Sequence, residues 1–265
     1  MLYHLLYSLH TSISALNVFR YITFRTIYAG LTAFLICFVL GPWVVRRLRM
    51  LQIGQYIRED GPQDHYKKAG TPTMGGVLIL FSIIVSTLLW TDLTSGMVWL
   101  VLLVTTAFGA IGFWDDYLKV IRKQSRGLRA WHKFLLQFVA ALGAGFVFYR
   151  MPDFNTEVTV PFFKAVLPDL GMWYILFAAL VIVGASNAVN LTDGLDGLAT
   201  GPTIVAAGTY MIFAYVAGHT KIAGYLQVPY VPGSAEVTIF CGVLAGACMG
   251  FLWYNAYPAE VFMGD

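Results

Sequence analysis

Residues 97–114 read Met-Val-Trp-Leu-Val-Leu-Leu-Val-Thr-Thr-Ala-Phe-Gly-Ala-Ile-Gly-Phe-Trp, and Asp115 and Asp116 follow directly. The stretch contains no charged residue and approaches the roughly 20 apolar residues that a helix needs to cross the hydrocarbon core of a bilayer. Backbone groups left unpaired in lipid are costly, so a segment of this kind must be helical. The stretch therefore predicts a membrane-spanning helix with two carboxylates at its end.

The rest of the chain has the same character. Of its 265 residues, 58% are hydrophobic and only 12% are charged, whereas about a quarter of the residues in a soluble domain are charged. Such a composition cannot cover a globule with polar surface, so lipid must be the solvent for much of the chain. We predict an all-α, polytopic membrane helix bundle of about seven transmembrane helices. The predicted spans are residues 21–45, 73–91, 97–114, 131–150, 170–189, 200–217 and 236–255.

The chain has no internal repeat, low-complexity tract or linker, so residues 1–265 are predicted to form a single membrane domain. Residues 1–19 are predicted to form an interfacial helix before the first span. In the stretch that begins at Glu157, polar and apolar residues alternate, which favours a short hairpin on the periplasmic side. All three cysteines lie within apolar segments, which indicates buried small side chains rather than disulfide bonds.

The loops predict the orientation in the membrane. The stretches 46–72 and 115–133 contain 12 of the 17 lysine and arginine residues. Loops rich in these residues stay on the cytoplasmic side, so we predict that both stretches are cytoplasmic and that the N-terminus lies outside. The same topology brings nine of the fourteen acidic residues to or near the cytoplasmic face. The net charge of +3 is a weak signal for nucleic acid, and we expect no nucleic acid partner.

Asp115 and Asp116 would repel each other at a helix end near lipid unless a cation compensates their charge. Mg²⁺ does this well, because it binds through one or two carboxylates together with water and substrate phosphates. The alternative is an acidic helix terminus that pairs with Lys119 or Arg122. The residues alone leave both interpretations open.

A second polar group joins the fifth and sixth predicted spans. Asn187, Asn190, Asp193 and Asp196 follow one another at intervals of three residues. In a near-helical backbone this spacing places polar side chains along one face. The glycine after each aspartate lets the backbone bend and approach a ligand closely. A purely structural turn needs only one Asn or Asp with one Gly, so the repeated pattern favours a ligand site.

Two further segments reach the same predicted face. The sequence Phe262-Met-Gly-Asp265 brings one more carboxylate there, although a Gly-Asp pair is also a common turn. Lys68 precedes Gly70-Thr-Pro-Thr-Met-Gly-Gly, whose free backbone amides at a helix start would suit a phosphate. A helix start with Pro72 near its first turn, and small residues for helix packing, explains the same segment equally well.

Together these motifs resemble the bacterial phospho-N-acetylmuramoyl-pentapeptide transferase (MraY translocase) family, within the polyprenyl-phosphate N-acetylhexosamine-1-phosphate transferase superfamily. The resemblance extends along essentially the whole chain. It is carried by Asn17-Val-Phe, Gly70-Thr-Pro-Thr-Met-Gly-Gly, Asp115-Asp116-Tyr117, residues 187–199 and residues 251–265. Family members continue beyond this point with further spans and a histidine-rich cytoplasmic motif. We therefore expect these residues to be the N-terminal part of a longer chain.

The resemblance implies the family's reaction. Undecaprenyl phosphate attacks the β-phosphate of UDP-N-acetylmuramoyl-pentapeptide (UDP-MurNAc-pentapeptide), which gives UMP and lipid I, a lipid-linked precursor of peptidoglycan. The resemblance also implies Mg²⁺ as the cofactor and a location in the bacterial inner membrane. It further implies an active site that opens to the cytoplasm, and a homodimer.

The resemblance also assigns roles to individual residues. Asp265 matches the principal Mg²⁺ ligand, and Asp115 and Asp116 match a catalytic aspartate pair. Of this pair, Asp115 is expected to deprotonate or orient the lipid phosphate. Asp193 matches a catalytic position in the polar row around the metal and the diphosphate. The positions that match substrate-binding residues are Lys68, Thr73, Lys123, Asn187, Asn190, Asp196 and Phe262.

Three other functions are also considered. A sister transferase that uses UDP-N-acetylglucosamine would share the metal and lipid chemistry. A cation transporter would carry carboxylates near mid-bilayer and paired broken helices in two halves, whereas here the acidic residues gather at one predicted face and no repeat occurs. A shortened chain would be compatible with a scaffold role alone.

Overall fold

The computed structural model describes residues 1–51, 71–122, 127–152, 154–160, 163 and 166–265. The described residues form helices and connecting segments, and the all-helical fold class predicted from the sequence is confirmed. The α-helices are α1 (Leu2–Ser8), α2 (Ile22–Met50), α3 (Gly76–Trp90), α4 (Gly96–Arg122), α5 (Ala130–Tyr149), α6 (Trp173–Thr192), α7 (Thr200–Ala217), α8 (Thr220–Leu226) and α9 (Ser234–Asn255). Two 3₁₀ helices, Leu9–Thr11 and Ser14–Arg20, follow α1.

Six helices in the described part of the chain are long and apolar enough to cross a membrane, namely α2, α4, α5, α6, α7 and α9. The length and composition of these six helices confirm the predicted multi-pass membrane bundle. The remaining predicted span, residues 73–91, forms only the 15-residue helix α3, which at about 1.5 Å per residue is shorter than the hydrocarbon core. Helix α3 begins at Gly76, because Met74 has a φ of 72°, which a right-handed helix does not contain.

Helix α4 is longer than its predicted span, because it continues to Arg122 instead of ending at Trp114. Asp115 and Asp116 therefore lie inside the helix, about two turns before its end. Lys119 and Arg122 lie in the last turn, where positive charge is favourable next to the negative end of the helix dipole. The extension places Lys119 on the same helix as both carboxylates, three and four residues away from them.

Two smaller predictions are only partly correct. Residues 1–19 are helical, but they form α1 and the two 3₁₀ helices instead of one continuous helix. The predicted hairpin is reduced, among the described residues, to an isolated antiparallel bridge between Glu157 and Asp169. Pro168, next to this bridge, has no backbone N–H with which to extend a ladder.

Helix α9 lies at the centre of the bundle. Of its most apolar 18-residue window, 67% is buried, compared with 22% or less in the other five long helices. Helices α2 and α9 approach closely at Gly246, where an added Cβ atom would lie 2.1 Å from the carbonyl oxygen of Gly30. A side chain at this position would push the two helices apart, so the small residue is required for their contact.

An ion pair connects several segments at the end of the bundle where α2 and α9 begin. Arg25 of α2 and Glu236 of α9 form a bidentate pair with nitrogen–oxygen distances of 2.9 and 2.5 Å. Arg25 is buried, and its guanidinium lies 4.0 Å from the centre of the Tyr3 ring. Glu236 also accepts a hydrogen bond from the backbone N–H of Asp92 at 3.0 Å. The pair therefore holds α1, α2, α9 and the loop between α3 and α4 together.

We expect Arg25→Met to lower the unfolding temperature of the protein, because it leaves the Glu236 carboxylate largely buried without its partner, at a cost of about 3–5 kcal/mol. Thermal unfolding in detergent, followed by circular dichroism, measures the change. Arg46→Met on the same helix is the matched control, because Arg46 is exposed and such changes stay within about 0.5 kcal/mol. Equal destabilisation by both substitutions would contradict the role of the ion pair.

Candidate active site

Three carboxylates from distant parts of the chain meet at one end of the bundle. Asp115 and Asp116 lie in α4, and Asp265 lies ten residues after the end of α9. One oxygen atom from each of the three lies within 4.8 Å of the others. The backbone N–H of Asp265 donates a hydrogen bond to Oδ2 of Asp116 at 2.8 Å. This contact fixes the segment after α9 against α4.

The start of α3 holds the same segment from another side. Gly75 and Gly76 donate backbone hydrogen bonds to the carbonyl groups of Phe262 and Met263, at 2.9 and 2.8 Å. The N–H of Phe262 in turn donates to the carbonyl group of Pro72 at 2.8 Å. The prediction of free amides for a phosphate is therefore wrong for Gly75 and Gly76. Here the packing interpretation is correct, because a Cβ atom at Gly75 would lie 2.7 Å from the Phe251 ring of α9.

A lysine ammonium group lies among the three carboxylates. Nζ of Lys119 is 2.8 Å from Oδ2 of Asp115 and 3.0 Å from Oδ1 of Asp116. It is also 2.8 Å from Oδ2 of Asp265, and Lys133 of α5 approaches that same oxygen atom at 2.7 Å. The pairing of the acidic residues with Lys119, stated above as an alternative, is confirmed. The same geometry directs three carboxylate oxygen atoms at one cationic group.

The other oxygen atoms of the α4 carboxylates accept backbone hydrogen bonds. Oδ1 of Asp115 accepts one from the N–H of Leu128 at 2.6 Å, and Oδ2 of Asp116 accepts the one from Asp265. Both α4 side chains are buried. Each carboxylate therefore uses one oxygen atom to fix a loop and keeps the other directed at the cation position.

A cavity of about 200 Å³ opens next to Asp265. Asn190 of α6 donates a hydrogen bond to Oδ1 of Asp265 at 3.4 Å and so connects the end of α6 to the carboxylates. Six of the predicted site residues line this cavity. Its lining residues are Thr73, Asn190, Asp193, Gly194, Leu195, Asp196, Asn255, Phe262, Gly264 and Asp265.

Asn187 is not among the lining residues, although the sequence pattern predicted one continuous polar face. Its amide nitrogen donates hydrogen bonds to Oε1 of Gln137 on α5 and to the carbonyl group of Val183, both at 2.8 Å. Successive residues of a helix are about 100° apart, so an interval of three residues falls about 60° short of a full turn. Between Asp193 and Asn187 the difference grows to about 120°, which turns Asn187 toward α5.

Lys68 and Lys123 lie outside the described residues, so their assignments to substrate stay predictions. Asp196 lies on the cavity wall, and its Oδ2 accepts a hydrogen bond from the N–H of Ala259 at 3.1 Å. This contact connects the loop after α6 to the segment after α9. Phe262 belongs to the same wall.

Sequence reasoning assigned no site role to Lys133 or Asn255. Lys133 is 132 residues away from its partner in the carboxylate cluster, and no local pattern reveals such a contact. Asn255 accepts a hydrogen bond from Thr200 at 2.9 Å and donates one to the carbonyl group of Val261 at 3.1 Å. The sequence feature that could have revealed Asn255 is the presence of a polar residue at the end of an apolar helix. Lys119 was considered only as a pairing partner.

The environment changes the acidity of two cavity carboxylates in opposite directions. Burial, together with the negative charge of Asp265, raises the pKa of Asp193 above its ordinary value. Burial would also raise the pKa of Asp265, but hydrogen bonds with Asp115 and Lys119 hold that pKa well below its usual range. Asp265 is therefore ionised at neutral pH, while the ionised form of Asp193 is disfavoured unless a cation is near.

The donor atoms and the charge of the site fit a hard divalent cation. Two lysines, Lys119 and Lys133, contact the carboxylates, whereas the cluster and the cavity together contain five aspartates, namely Asp115, Asp116, Asp193, Asp196 and Asp265. The site therefore contains more acidic than basic groups, and carboxylate oxygen atoms are ligands that Mg²⁺ prefers. Asp115, Asp116 and Asp265 are the residues that could hold such an ion.

Known proteins are similar to this chain along its whole length. A model described as glycosyl transferase family 4 matches residues 98–265, and one described as phospho-N-acetylmuramoyl-pentapeptide-transferase signature 1 matches residues 68–80. The phospho-N-acetylmuramoyl-pentapeptide-transferase of Desulforapulum autotrophicum is 63% identical over 265 residues, which are 100% of this chain and 74% of that protein. Those of Desulfosudis oleivorans and Syntrophus aciditrophicus are 62% and 60% identical with the same coverage. The chain belongs to the phospho-N-acetylmuramoyl-pentapeptide transferase family.

Membership in this family of phospho-sugar transferases agrees with the location of the cavity. The signature match at residues 68–80 contains Thr73 and the two glycines that hold the segment after α9. The longer match at residues 98–265 contains all the other lining residues. The parts of the chain that define the transferase family therefore form the cavity and the carboxylate cluster.

We expect Gly264→Ala to disrupt the site of this family member. Gly264 has a φ of 82°, and an added Cβ atom would lie 2.2 Å from Oδ2 of Asp116. The substitution should displace Asp265 from α4 and weaken Mn²⁺ binding, measured by electron paramagnetic resonance, by roughly tenfold or more. Gly208→Ala on α7 is the matched control, because a Cβ atom there meets nothing within 4 Å. Similar Mn²⁺ affinities in both variants would refute this geometry.

We also expect the affinity for divalent cations to increase with pH in the acidic range. A cation favours the ionised carboxylate, so a proton must leave Asp193, whose pKa burial raises, when the ion binds. The affinity should rise until the pH exceeds this raised pKa and then level off. In Asp193→Asn this proton is absent, so Mn²⁺ titrations at several pH values should give a shallower dependence. Identical slopes for both proteins would exclude Asp193 from the ion's surroundings.

Proposed function

We propose that this protein transfers phospho-N-acetylmuramoyl-pentapeptide from UDP to undecaprenyl phosphate, which gives lipid I and UMP in peptidoglycan synthesis. The observation that carries the proposal is the convergence of Asp115, Asp116 and Asp265 beside a cavity lined by Asn190 and Asp193. The relatives are named for a phospho-N-acetylmuramoyl-pentapeptide transfer. Both substrates are anions, so the site must offset their repulsion before they can meet.

Mg²⁺ is the cofactor that we assign to the carboxylate cluster. Asp265 would be its principal ligand, with Asp115 and Asp116 as the other carboxylates of the set. When bound, Mg²⁺ neutralises the diphosphate and stabilises the departing UMP. Of the two roles expected for Asp115, orientation fits better than deprotonation, because both of its oxygen atoms already accept hydrogen bonds.

Asp193 is the carboxylate best placed to exchange a proton with a substrate phosphate. It lines the cavity, and burial raises its pKa, so that it takes up a proton more readily than an exposed aspartate. Asn190 and Thr73 line the same cavity and offer an amide and a hydroxyl group to the diphosphate. We expect these groups to fix the diphosphate while Asp193 accepts the proton of the attacking undecaprenyl phosphate, whose oxygen atom forms the new bond to the β-phosphorus atom as the bond to UMP breaks.

The remaining lining residues suit the nucleotide end of the donor. Asp196 and Phe262 supply a carboxylate and an aromatic ring to the cavity wall, and we assign both to the nucleoside. Lys68 and Lys123 are assigned to phosphate and nucleoside on the resemblance alone. Asn187 acts indirectly in this scheme, because its hydrogen bond to Gln137 connects α6 to α5.

We further propose that the protein is a single membrane domain in the bacterial inner membrane and that its active site faces the cytoplasm. Helices α2 and α9 begin at the same end of the bundle, where their ion pair lies, so both also end near the carboxylates. The last turns of α2 carry Arg47 and Arg49, and basic residues favour the cytoplasmic side. A homodimer is the assembly that we expect from the family resemblance.

The test is the release of UMP from UDP-MurNAc-pentapeptide by the purified full-length protein with undecaprenyl phosphate. We expect release that requires Mg²⁺ and a matching amount of lipid I. Asp193→Asn should lower the turnover rate by about a hundredfold or more, because it removes a group that transfers a proton. Gly208→Ala on α7 is the control for general effects of substitution and should keep the wild-type rate.

Two results would contradict the proposal. Release of UMP only from UDP-N-acetylglucosamine would assign the sister transferase reaction instead. No release of UMP from either donor would favour a scaffold function, and wild-type turnover in Asp193→Asn would remove the catalytic role of this residue.

A further inference from the structure

We propose that Lys119 is an exchangeable counter-ion of the carboxylate cluster, which a divalent cation displaces and which then binds a substrate phosphate in the cavity. The inference rests on the proposed transferase function and adds a step to it. Before the metal ion arrives, the ammonium group keeps the carboxylates together. After the metal ion binds, the same ammonium group becomes part of the phosphate site.

The first argument is that the ammonium group and a metal ion need the same oxygen atoms. Lys119 contacts Oδ2 of Asp115, Oδ1 of Asp116 and Oδ2 of Asp265 at 2.8–3.0 Å. The backbone hydrogen bonds of Leu128 and Asp265 engage the opposite oxygen atoms of the α4 pair. A metal ion on this face of the cluster would therefore meet Lys119, and two cations at such short distance repel each other strongly.

The second argument is that the Lys119 side chain is more exposed to solvent than that of Lys133. The Lys119 side chain is 28% exposed and that of Lys133 is 16% exposed. A lysine carries its charge on a flexible four-carbon stem, so the ammonium group can leave without a backbone change. Lys133 makes its close contact with one oxygen atom of Asp265 and is 3.7 Å from Asp115, so it obstructs a metal ion less than Lys119, which contacts all three carboxylates.

The third argument concerns the destination of the displaced group. Asp265 borders both the cluster and the cavity, and Lys119 contacts its side chain at 2.8 Å. A short movement past Asp265 thus brings the ammonium group to the cavity. There it meets the place assigned to the diphosphate, and lysine binds phosphate well as a compact point charge. Metal binding would in this way prepare the cavity for an anionic substrate.

The first test measures Mn²⁺ affinity by electron paramagnetic resonance in the absence of both substrates. Lys119→Met removes the competing cation, so we expect the dissociation constant for Mn²⁺ to fall about tenfold or more. Lys119→Arg keeps the charge and should stay close to the wild type. Lys221→Met on the exposed surface of α8 is the matched control and should change nothing. Unchanged or weaker Mn²⁺ binding in Lys119→Met would overturn the proposal.

The second test uses the wild-type protein, so it does not depend on the folding of a variant. An amine-acylating reagent is applied with and without Mg²⁺, and the labelled lysines are quantified by mass spectrometry. We expect Mg²⁺ to increase the labelling of Lys119 at least about threefold, because an ammonium group that leaves three carboxylates becomes more reactive. Labelling of Lys221 should not change. Equal or lower labelling of Lys119 with Mg²⁺ would contradict the displacement.

Kinetic measurements of UMP release distinguish a failure of this inference from a failure of the proposed function. With saturating Mg²⁺, Lys119→Met should raise the KM for UDP-MurNAc-pentapeptide more than it lowers kcat, because the lost group binds substrate phosphate. An unchanged KM would overturn the phosphate role of Lys119 while UMP release by the wild type still supported the transferase. A wild type that binds Mn²⁺ but releases no UMP would instead refute the proposed function and with it the phosphate role of Lys119, whereas the displacement of Lys119 would still stand or fall with the Mn²⁺ affinities and the labelling.

Discussion

Carboxylates close to lipid repel one another unless positive charge lies between them, and the site end of this bundle is arranged around that constraint. Asp115, Asp116 and Asp265 direct one oxygen atom each at a single cation position, now held by the ammonium group of Lys119. The opposite oxygen atoms of the α4 pair hold backbone N–H groups. The same two side chains of α4 therefore both contact the cation and attach loops, so a change in one of these interactions is expected to affect the other.

The helices provide a scaffold that fixes this cluster from a distance. Helix α9 is the most buried of the long helices, and it begins at the Arg25–Glu236 pair. Its close contact with α2 at Gly246 sets the direction in which the following segment leaves the bundle. The backbone hydrogen bonds from Gly75 and Gly76 then place that segment beside α4. The cavity wall is consequently formed by helix ends and short segments. The membrane-crossing parts of the helices pack against one another and form the core.

The spans could be predicted from hydropathy, because each apolar segment must pair its own backbone groups in lipid whatever its neighbours do. The contacts within the site could be predicted only in part. Regular spacing placed Asn187 with the cavity residues, but helical rotation turns it toward Gln137. The free amides expected at Gly75 are engaged by a segment almost two hundred residues later in the chain. Lys133 reaches Asp265 through tertiary packing that no local pattern encodes.

The central claim is that segments far apart in sequence surround one divalent cation. Fe²⁺ can replace Mg²⁺ at such a site and, with ascorbate and peroxide, it cleaves the backbone that lies next to it. The account predicts cuts near residues 115–116, 190–193 and 262–265, all suppressed together by excess Mg²⁺. Cuts at only one of these segments, or cuts that Mg²⁺ does not suppress, would contradict it.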